Sequence, residues 1–98
     1  MAEVVWSPRA IEDVQAIVAY IAEDSLAYAK SVAQKVVAST RRLATFPMSW
    51  RVVPEFGDEK IREVFAYSYR IIYRVEGQTV TIAAAVHGKR PVELEVQP

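Results

Sequence analysis

The stretch that decides the fold is Tyr69–Arg90, which reads YRIIYRV, then EGQ, then TVTIAAAV, then HGKR. Apolar residues recur at every second position along both long segments, and a glycine-containing turn separates them. Two runs of period two around such a turn predict a β-hairpin. We take residues 76–77 as its two-residue loop, a register that places Tyr73 opposite Val80 and Ile71 opposite Ile82.

The two faces of this predicted hairpin differ in character. One face carries the larger apolar side chains, as a sheet packed on a core requires: Tyr69, Ile71, Tyr73, Val75, Val80, Ile82, Ala84 and Val86. The other face carries two arginines among mostly small residues, with His87 at its next position: Arg70, Ile72, Arg74, Thr79, Thr81, Ala83 and Ala85. We therefore expect the second face to be an open cationic surface.

Composition limits the classes of protein to consider. Ninety-eight residues, 52% of them hydrophobic, fit one globular domain over residues 1–98. The chain has no cysteine, so it contains no disulfide, no thiolate metal site and no cysteine nucleophile. With a single histidine as well, we expect no metal and no cofactor. The first residues lack the pattern of a signal peptide, and no apolar run is long enough to span a bilayer, so we expect a cytoplasmic protein without membrane contact.

Charge argues against a protein that grips nucleic acid by itself. Twelve Lys and Arg balance twelve Asp and Glu, whereas affinity for nucleic acid depends largely on excess cations that neutralise phosphates. We expect no direct, specific DNA binding by this chain alone. Eight of the twelve cations are arginine, which suits bidentate contacts to carboxylate or phosphate groups.

Two amphipathic helices precede the hairpin. Ser7 and Pro8 form a helix start, and the first helix is predicted over residues 8–23. Its apolar stripe has spacings of three and four: Ile11, Val14, Val18 and Ile21. The second helix, capped by Asp24 or Ser25, is predicted from about Leu26 to Thr45, with inward residues Ala29, Val32, Val36, Leu43 and Phe46.

The remaining segments predict strands. These are residues 3–6, a short edge strand at 51–53, residues 61–67, and the alternating tail 91–98, for which an added strand and binding elsewhere both stay open. A two-residue loop after strand 61–67 places Glu63 on the face of Arg70, whereas a three-residue loop places Arg62 there. The order β-α-α-β-β-β predicts an α+β two-layer fold, with an N-terminal strand and an α-helical hairpin packed on one face of an antiparallel sheet.

These residues together resemble the ParE/RelE toxin superfamily of type II toxin–antitoxin systems, and within it the ParE or plasmid-stabilisation branch. The resemblance covers nearly the whole chain in order and rests on these pieces: Ser7-Pro8 with Ala10 and Asp13, Tyr20-Ile21, Pro47 with Arg51, Val53-Pro54-Glu55, Ile61-Arg62-Glu63, Tyr69–Val75, and His87-Gly88 with Arg90. Two features differ from the pattern. Trp50 stands where the family often has glycine. RelE-type nucleases also tend to carry lysines in the sheet and a tyrosine near the C-terminus, and this sequence has neither.

The resemblance implies a toxin that inhibits DNA gyrase by trapping it on cleaved DNA, with no reaction of its own. It also implies neutralisation by a ParD-like antitoxin, in a heterotetramer or larger assembly. Two alternatives stay open. One is a RelE-like ribosome-dependent mRNA endonuclease, and the other is a degenerate toxin retained as a partner of its antitoxin.

Six residues are candidates for contacts with a partner: Arg51, Arg62, Arg70, Arg74, His87 and Arg90. If the protein is a nuclease, the catalytic set would be Arg62, Arg70, His87 and Arg90. We favour a structural role for His87 at a strand end, and we expect Glu55 to be solvated. We also expect Arg70→Ala to lower toxicity while leaving the fold intact, because Arg70 is assigned to an open face.

Overall fold

Two helices cover one face of a five-stranded sheet in the computed structural model, which describes residues 1–93. The elements are β1 (Glu3–Trp6), α1 (Pro8–Ala22), α2 (Leu26–Arg41), a 3₁₀ turn (Arg42–Ala44), β2 (Arg51–Val52), β3 (Ile61–Ala66), β4 (Tyr69–Glu76) and β5 (Thr79–His87). The spatial order is β1-β5-β4-β3-β2, and only β1 pairs in parallel, with β5. The predicted α+β fold is confirmed, with a mixed rather than a purely antiparallel sheet.

Serine side chains begin both helices. The Ser7 hydroxyl accepts a hydrogen bond from the Ala10 backbone N–H at 3.1 Å, and Ser25 accepts one from Tyr28 at 3.1 Å. Each bond satisfies one of the backbone donors that the first helical turn leaves free. Ser7 is thus confirmed as the first cap, and Ser25 rather than Asp24 caps α2.

The main core lies between the helices and the sheet. It is built from α1 and α2 residues with those strand residues that point toward the helices: Ala10, Ile21, Ala29, Val32, Val36, Leu43, Val64, Ala66, Ile71, Tyr73, Val80, Ile82 and Ala85. The prediction that Ile11 and Phe46 face inward is wrong, because Ile11 is 44% exposed and Phe46 is 60% exposed. The buried position in the first turn belongs to Ala10, and α2 ends at Arg41, so the helical period no longer reaches Phe46.

The hairpin register differs from the prediction in two ways. The loop is Gly77 and Gln78, and Gly77 has a φ of +57°, a backbone conformation that glycine adopts without strain. In addition, Tyr73 pairs with Ile82 but Ile72 pairs with Ala84, so Ala83 is an extra residue in β5. This residue makes a β-bulge.

The bulge exchanges the faces of β5 beyond Ala83. Because side chains alternate with period two, one inserted residue turns every later side chain to the opposite face. Ala85 therefore joins the core under the helices, while Ala84 joins a second cluster with Ile72. The prediction that Ala84 and Val86 share the face of Val80 is wrong.

The second face of the sheet is covered rather than open. A smaller apolar cluster there consists of Val53, Ile61, Ile72, Ala84 and Val92, with Phe56 and Val86 packed against it. Val53 and Phe56 come from the segment between β2 and β3, and Val92 follows β5. The prediction that this face is an open cationic surface is therefore wrong. Residues 91–93 form no strand, and the rest of the predicted tail strand lies outside the described residues.

A two-residue loop, Tyr67 and Ser68, connects β3 to β4 and decides between the two registers left open above. Ala66 pairs with Tyr69, and Glu63 therefore lies opposite Ile72, on the face of Arg70. Arg62 lies opposite Tyr73 on the helix side.

None of the helices within residues 1–93 has the length and apolar character needed to cross a membrane.

Ser7 holds two elements together, because its hydroxyl also donates to the Ala83 carbonyl at the bulge, at 3.1 Å. We expect Ser7→Ala to lower the free energy of unfolding by about 1–2 kcal/mol, since it removes a helix cap and a long-range hydrogen bond. Urea denaturation measures this change. Ser25→Ala is the matched control, because it removes only a cap, and equal losses in the two variants would show that the bond to Ala83 contributes nothing.

Candidate functional site

A buried carboxylate on β3, that of Glu63, is the centre of a network of ion pairs. The Glu63 side chain is fully buried, and its two oxygens accept hydrogen bonds from Arg70 Nε, at 2.6 Å, and from Arg51 Nε. An unpaired carboxylate in this position would cost several kcal/mol in lost hydration. Two arginines from neighbouring strands of the same sheet compensate its charge.

Arg70 is saturated with acceptors. It is only 4% exposed, and its two terminal nitrogens bind the two oxygens of Glu55 at 2.8 Å each. One of them also donates to the Arg90 carbonyl at 3.2 Å. Such a bidentate pair is the strongest arrangement available to an arginine and a carboxylate. We call Arg51, Glu55, Glu63 and Arg70 the Arg70 cluster.

Glu55 connects the cluster to the end of the described chain. Its side chain is 30% exposed, and one oxygen also accepts the Val92 backbone N–H at 3.2 Å. The hydrogen bonds from Arg70 lower the pKa of Glu55 from 4.5 to about 2, although partial burial acts in the opposite direction. The same pairing raises the pKa of Arg70. The expectation that Glu55 is simply solvated is therefore wrong.

Arg51 reaches from the cluster to the surface. Its side chain is 59% exposed, and its guanidinium lies over the Phe65 ring, 5.4 Å from the ring centre. Trp50 beside it is 38% exposed, and Phe65 is 42% exposed. Arginine and aromatic side chains in contact form the kind of surface that carries binding energy in protein interfaces.

Arg62 and Arg74 lie away from the cluster. Arg62 holds the segment before β2, because it donates to the carbonyls of Met48, Trp50 and Glu59 at distances from 2.8 to 3.1 Å. Arg74 lies near the hairpin loop, 3.4 Å from Glu76. The structure thus gives Arg62 a structural role and places Arg74 in an exposed ion pair.

His87 lies at the end of β5, and its side chain is exposed. Its ring meets Tyr69 edge to face at 5.7 Å, and its Nδ1 accepts the Lys89 backbone N–H at 3.3 Å. Because His87 is the partner of Tyr69 across the strands, it lies on the helix side, whereas Arg70 faces the other way. Arg90 lines a groove beside His87, and its carbonyl accepts a hydrogen bond from Arg70.

The candidate residues therefore separate into three groups. Arg51 and Arg70 share one ion network, His87 and Arg90 line one groove, and Arg62 and Arg74 lie apart. Glu63 was not among the predicted candidates, although one of the two registers left open for strand 61–67 placed it on the face of Arg70. Among residues 1–93 no group of three or more His, Cys, Asp or Glu side chains is arranged to hold a metal ion.

Removal of the central cation tests the cluster. We expect Arg70→Met to lower the free energy of unfolding by roughly 3–5 kcal/mol, because Glu63 and Glu55 lose a buried partner. The burial of Arg70 argues against the expectation that Arg70→Ala leaves the fold intact. Urea denaturation measures the loss, and Arg74→Met is the control for an exposed arginine. The double variant Arg70→Met/Glu63→Leu should recover most of the loss. Equal free energies of unfolding for Arg70→Met and Arg74→Met would contradict the proposed role of Arg70 in the cluster.

Glu55 should make stability depend on acid pH. A carboxyl group whose folded pKa lies below its unfolded value contributes stability above the unfolded pKa and loses it as pH falls toward the folded pKa. The window for Glu55 therefore runs from pH 4.5 down to about 2. We expect urea midpoints of the wild type to fall more steeply across that window than those of Glu55→Gln. Glu59→Gln, an exposed change in the same segment, should follow the wild type, and parallel curves for all three proteins would contradict the pairing.

Comparison with known proteins identifies the family. Residues 4–92 match the family described as the ParE toxin of type II toxin–antitoxin system, parDE. No curated protein matches the chain significantly.

Solved structures share the fold at low sequence identity. The chain is similar to one from the chromosomal ParDE TA system of P. aeruginosa, with a TM-score of 0.71 and 19% identity over 89% of this chain and 96% of that one. It is also similar to a chain of the YoeB dimer from Staphylococcus aureus, with a TM-score of 0.59 and 15% identity over 85% of this chain and 92% of that one. Because the family match spans nearly the whole sequence, the protein belongs to the ParE toxin family of type II toxin–antitoxin systems.

Proposed function

We propose that this toxin acts on DNA gyrase by binding the enzyme and trapping it on cleaved DNA, with no reaction of its own. In this proposal a ParD-like antitoxin holds the toxin inactive, in an assembly with two copies of each chain. Both partners would act in the cytoplasm. The proposal rests on membership of the ParE family and on one structural observation, the saturation of Arg70.

Arg70 has no guanidinium nitrogen without a protein acceptor, so none is left to bind a phosphate. A nuclease needs cations that are free to hold a phosphate beside a general acid and a base. All three guanidinium nitrogens of Arg70 already donate to protein oxygens, and the group is 4% exposed. The side chain therefore serves the fold, which favours a binding protein over the endonuclease alternative.

The positions of the other nuclease candidates support the same conclusion. Arg62 lies on the helix side of the sheet and is bound to three backbone carbonyls, whereas Arg70 faces the opposite side. His87 also faces the helix side. A single phosphate could not contact Arg62, Arg70 and His87 together in this arrangement.

We place the partner contact at Arg51, Trp50 and Phe65. All three side chains are partly exposed, Arg51 lies over the Phe65 ring, and Trp50 precedes Arg51 in the chain. Met48 in the same segment is 48% exposed. An arginine held between a buried carboxylate and an aromatic ring is oriented before it binds, so little side-chain entropy is lost on association. His87 and Arg90 remain candidates for a second contact.

The test is a gyrase supercoiling and cleavage assay with purified, antitoxin-free protein, run beside ribosome-dependent message cleavage. We expect inhibited supercoiling with trapped cleaved DNA, and we expect a co-purified antitoxin to reverse it. Trp50→Ala should raise the inhibitory concentration about tenfold or more if Trp50 is an interface anchor. Leu26→Ala removes an exposed apolar side chain elsewhere and should have no effect.

Two outcomes would contradict the proposal. Message cleavage with gyrase untouched would favour the nuclease alternative. A folded protein without effect in either assay would favour a degenerate toxin. Circular dichroism and the urea midpoint show whether the preparation and its variants are folded.

A further inference from the structure

A groove of about 440 Å³ lies between α1 and the last part of β5, on the helix side of the sheet. Its walls are mostly apolar or aromatic, and one cation lines it. The residues that matter for its chemistry are Ala16, Ile17, Tyr20, Tyr69, His87 and Arg90. No side chain of the Arg70 cluster lines it.

The groove follows a strand edge that has no neighbouring strand within residues 1–93. β1 pairs with β5 only as far as Ile82. Gly88 donates its backbone N–H to the Ser68 carbonyl at 2.7 Å, so in an antiparallel ladder the next pair inward, His87 with Tyr69, is a non-hydrogen-bonded pair. The backbone N–H and C=O of His87 therefore point away from β4, and those of Ala85 do the same.

Most backbone groups on this edge already have partners. Ser7 donates to the Ala83 carbonyl, Asp13 accepts the Ala85 N–H at 3.0 Å, and the Arg90 N–H donates to the His87 carbonyl at 2.9 Å. The Ala85 C=O and the His87 N–H remain, and neither forms a hydrogen bond with another group of residues 1–93. One acceptor and one donor, two residues apart on an extended chain, thus face the groove.

The walls beside this pair suit a flat aromatic ligand. Tyr69 and His87 meet edge to face, with ring centres 5.7 Å apart, and Tyr20 is 70% exposed at the opposite side. Ala16 and Ile17 of α1 add apolar surface with little bulk near Ala16. Proteins bind unpaired bases by stacking on tyrosine or histidine rings and by hydrogen bonds to the Watson–Crick edge, which in adenine carries a donor and an acceptor side by side.

Donors for a phosphate lie at the same end of the groove. Arg90 lines it directly. His87 accepts the Lys89 N–H at Nδ1, which leaves Nε2 as the ring nitrogen available to donate. The carboxylate of Asp13 faces the groove as well, but it accepts the Ala85 N–H and lies 3.4 Å from Arg9, which offsets its charge.

We propose that this groove binds a purine nucleoside monophosphate. The base pairs with the Ala85 C=O and the His87 N–H and stacks against the aromatic wall, and the phosphate is held by Arg90. The proposal does not depend on the main partner contact, because it uses none of Arg51, Trp50 and Phe65; it does share His87 and Arg90 with the candidate second contact.

The test is a titration of the ¹⁵N-labelled full chain with adenosine monophosphate (AMP), followed by NMR. We expect a saturable shift of the His87 backbone amide with AMP, and none with inorganic phosphate alone. Arg90→Ala should weaken AMP binding about tenfold, the value of one charge-assisted hydrogen bond, and leave the affinity for adenosine unchanged.

A matched pair of tryptophan variants locates the site. Ala16→Trp should fill the groove and abolish AMP binding, whereas Ala19→Trp, an exposed position on the same helix outside the groove, should bind as the wild type does. The proposal is wrong if millimolar AMP gives no saturable shift, if the two variants bind equally, or if cytidine monophosphate binds as tightly as AMP. It is also wrong if AMP has no effect but a bound antitoxin protects the His87 amide from exchange, because the groove then takes an extended protein segment.

Discussion

The burial of the Glu63 carboxylate is the constraint on which the rest of the second sheet face depends. A charge removed from water needs partners with good geometry. Arg70 provides one of them across the β3–β4 pair, and Arg51 provides the other from β2. Arg70 in turn needs acceptors for its remaining nitrogens, and Glu55 and the Arg90 carbonyl supply them. The edge strand, the segment before β3 and the segment after β5 are thus held to the sheet by one chain of charges, above a small apolar cluster.

The β-bulge at Ala83 determines where the other functional surface lies. Without the extra residue, Ala85 would face the second side of the sheet. With it, Ala85 packs under the helices, and the edge of β5 from Ala85 to His87 runs along α1. Ser7 and Asp13 of the helical hairpin satisfy part of this edge. The molecule therefore has two separate regions of interest, an arginine–aromatic patch at the β2 edge and a groove at the α1–β5 edge.

Much of the fold could be predicted from periodicity and caps. Ser7, the two helices and the strands have strong local signals, and these predictions are confirmed within a few residues. The register of β5 could not be predicted, because three consecutive alanines fit either face and give no sign of a bulge. The length of the β3–β4 loop could not be predicted either, and only the two-residue turn at Tyr67 and Ser68 brings Glu63 to the face of Arg70.

The candidate site was harder to predict, because its chemistry depends on long-range contacts. Arg70 was correctly placed on the face opposite the helices, but nothing local indicates that Glu55, fifteen positions earlier, would reach it. Val92 gave only a weak alternation signal, and its burial follows from the same contacts. The strands themselves were therefore predictable, whereas the register of β5 and the segments that close over the sheet were not.

The central claim is that the Arg70 guanidinium is fully engaged by the carboxylates of Glu63 and Glu55 and stabilises the fold. Exchange of the arginine Nε–H protons with solvent, followed by ¹⁵N NMR on the free toxin, tests it most directly. We expect the Arg70 Nε–H, bound to Glu63 at 2.6 Å, to exchange far more slowly than that of the partly exposed Arg74. Equally fast exchange at the two arginines would mean that the cluster opens readily, and it would return Arg70 to the set of residues free to bind a phosphate.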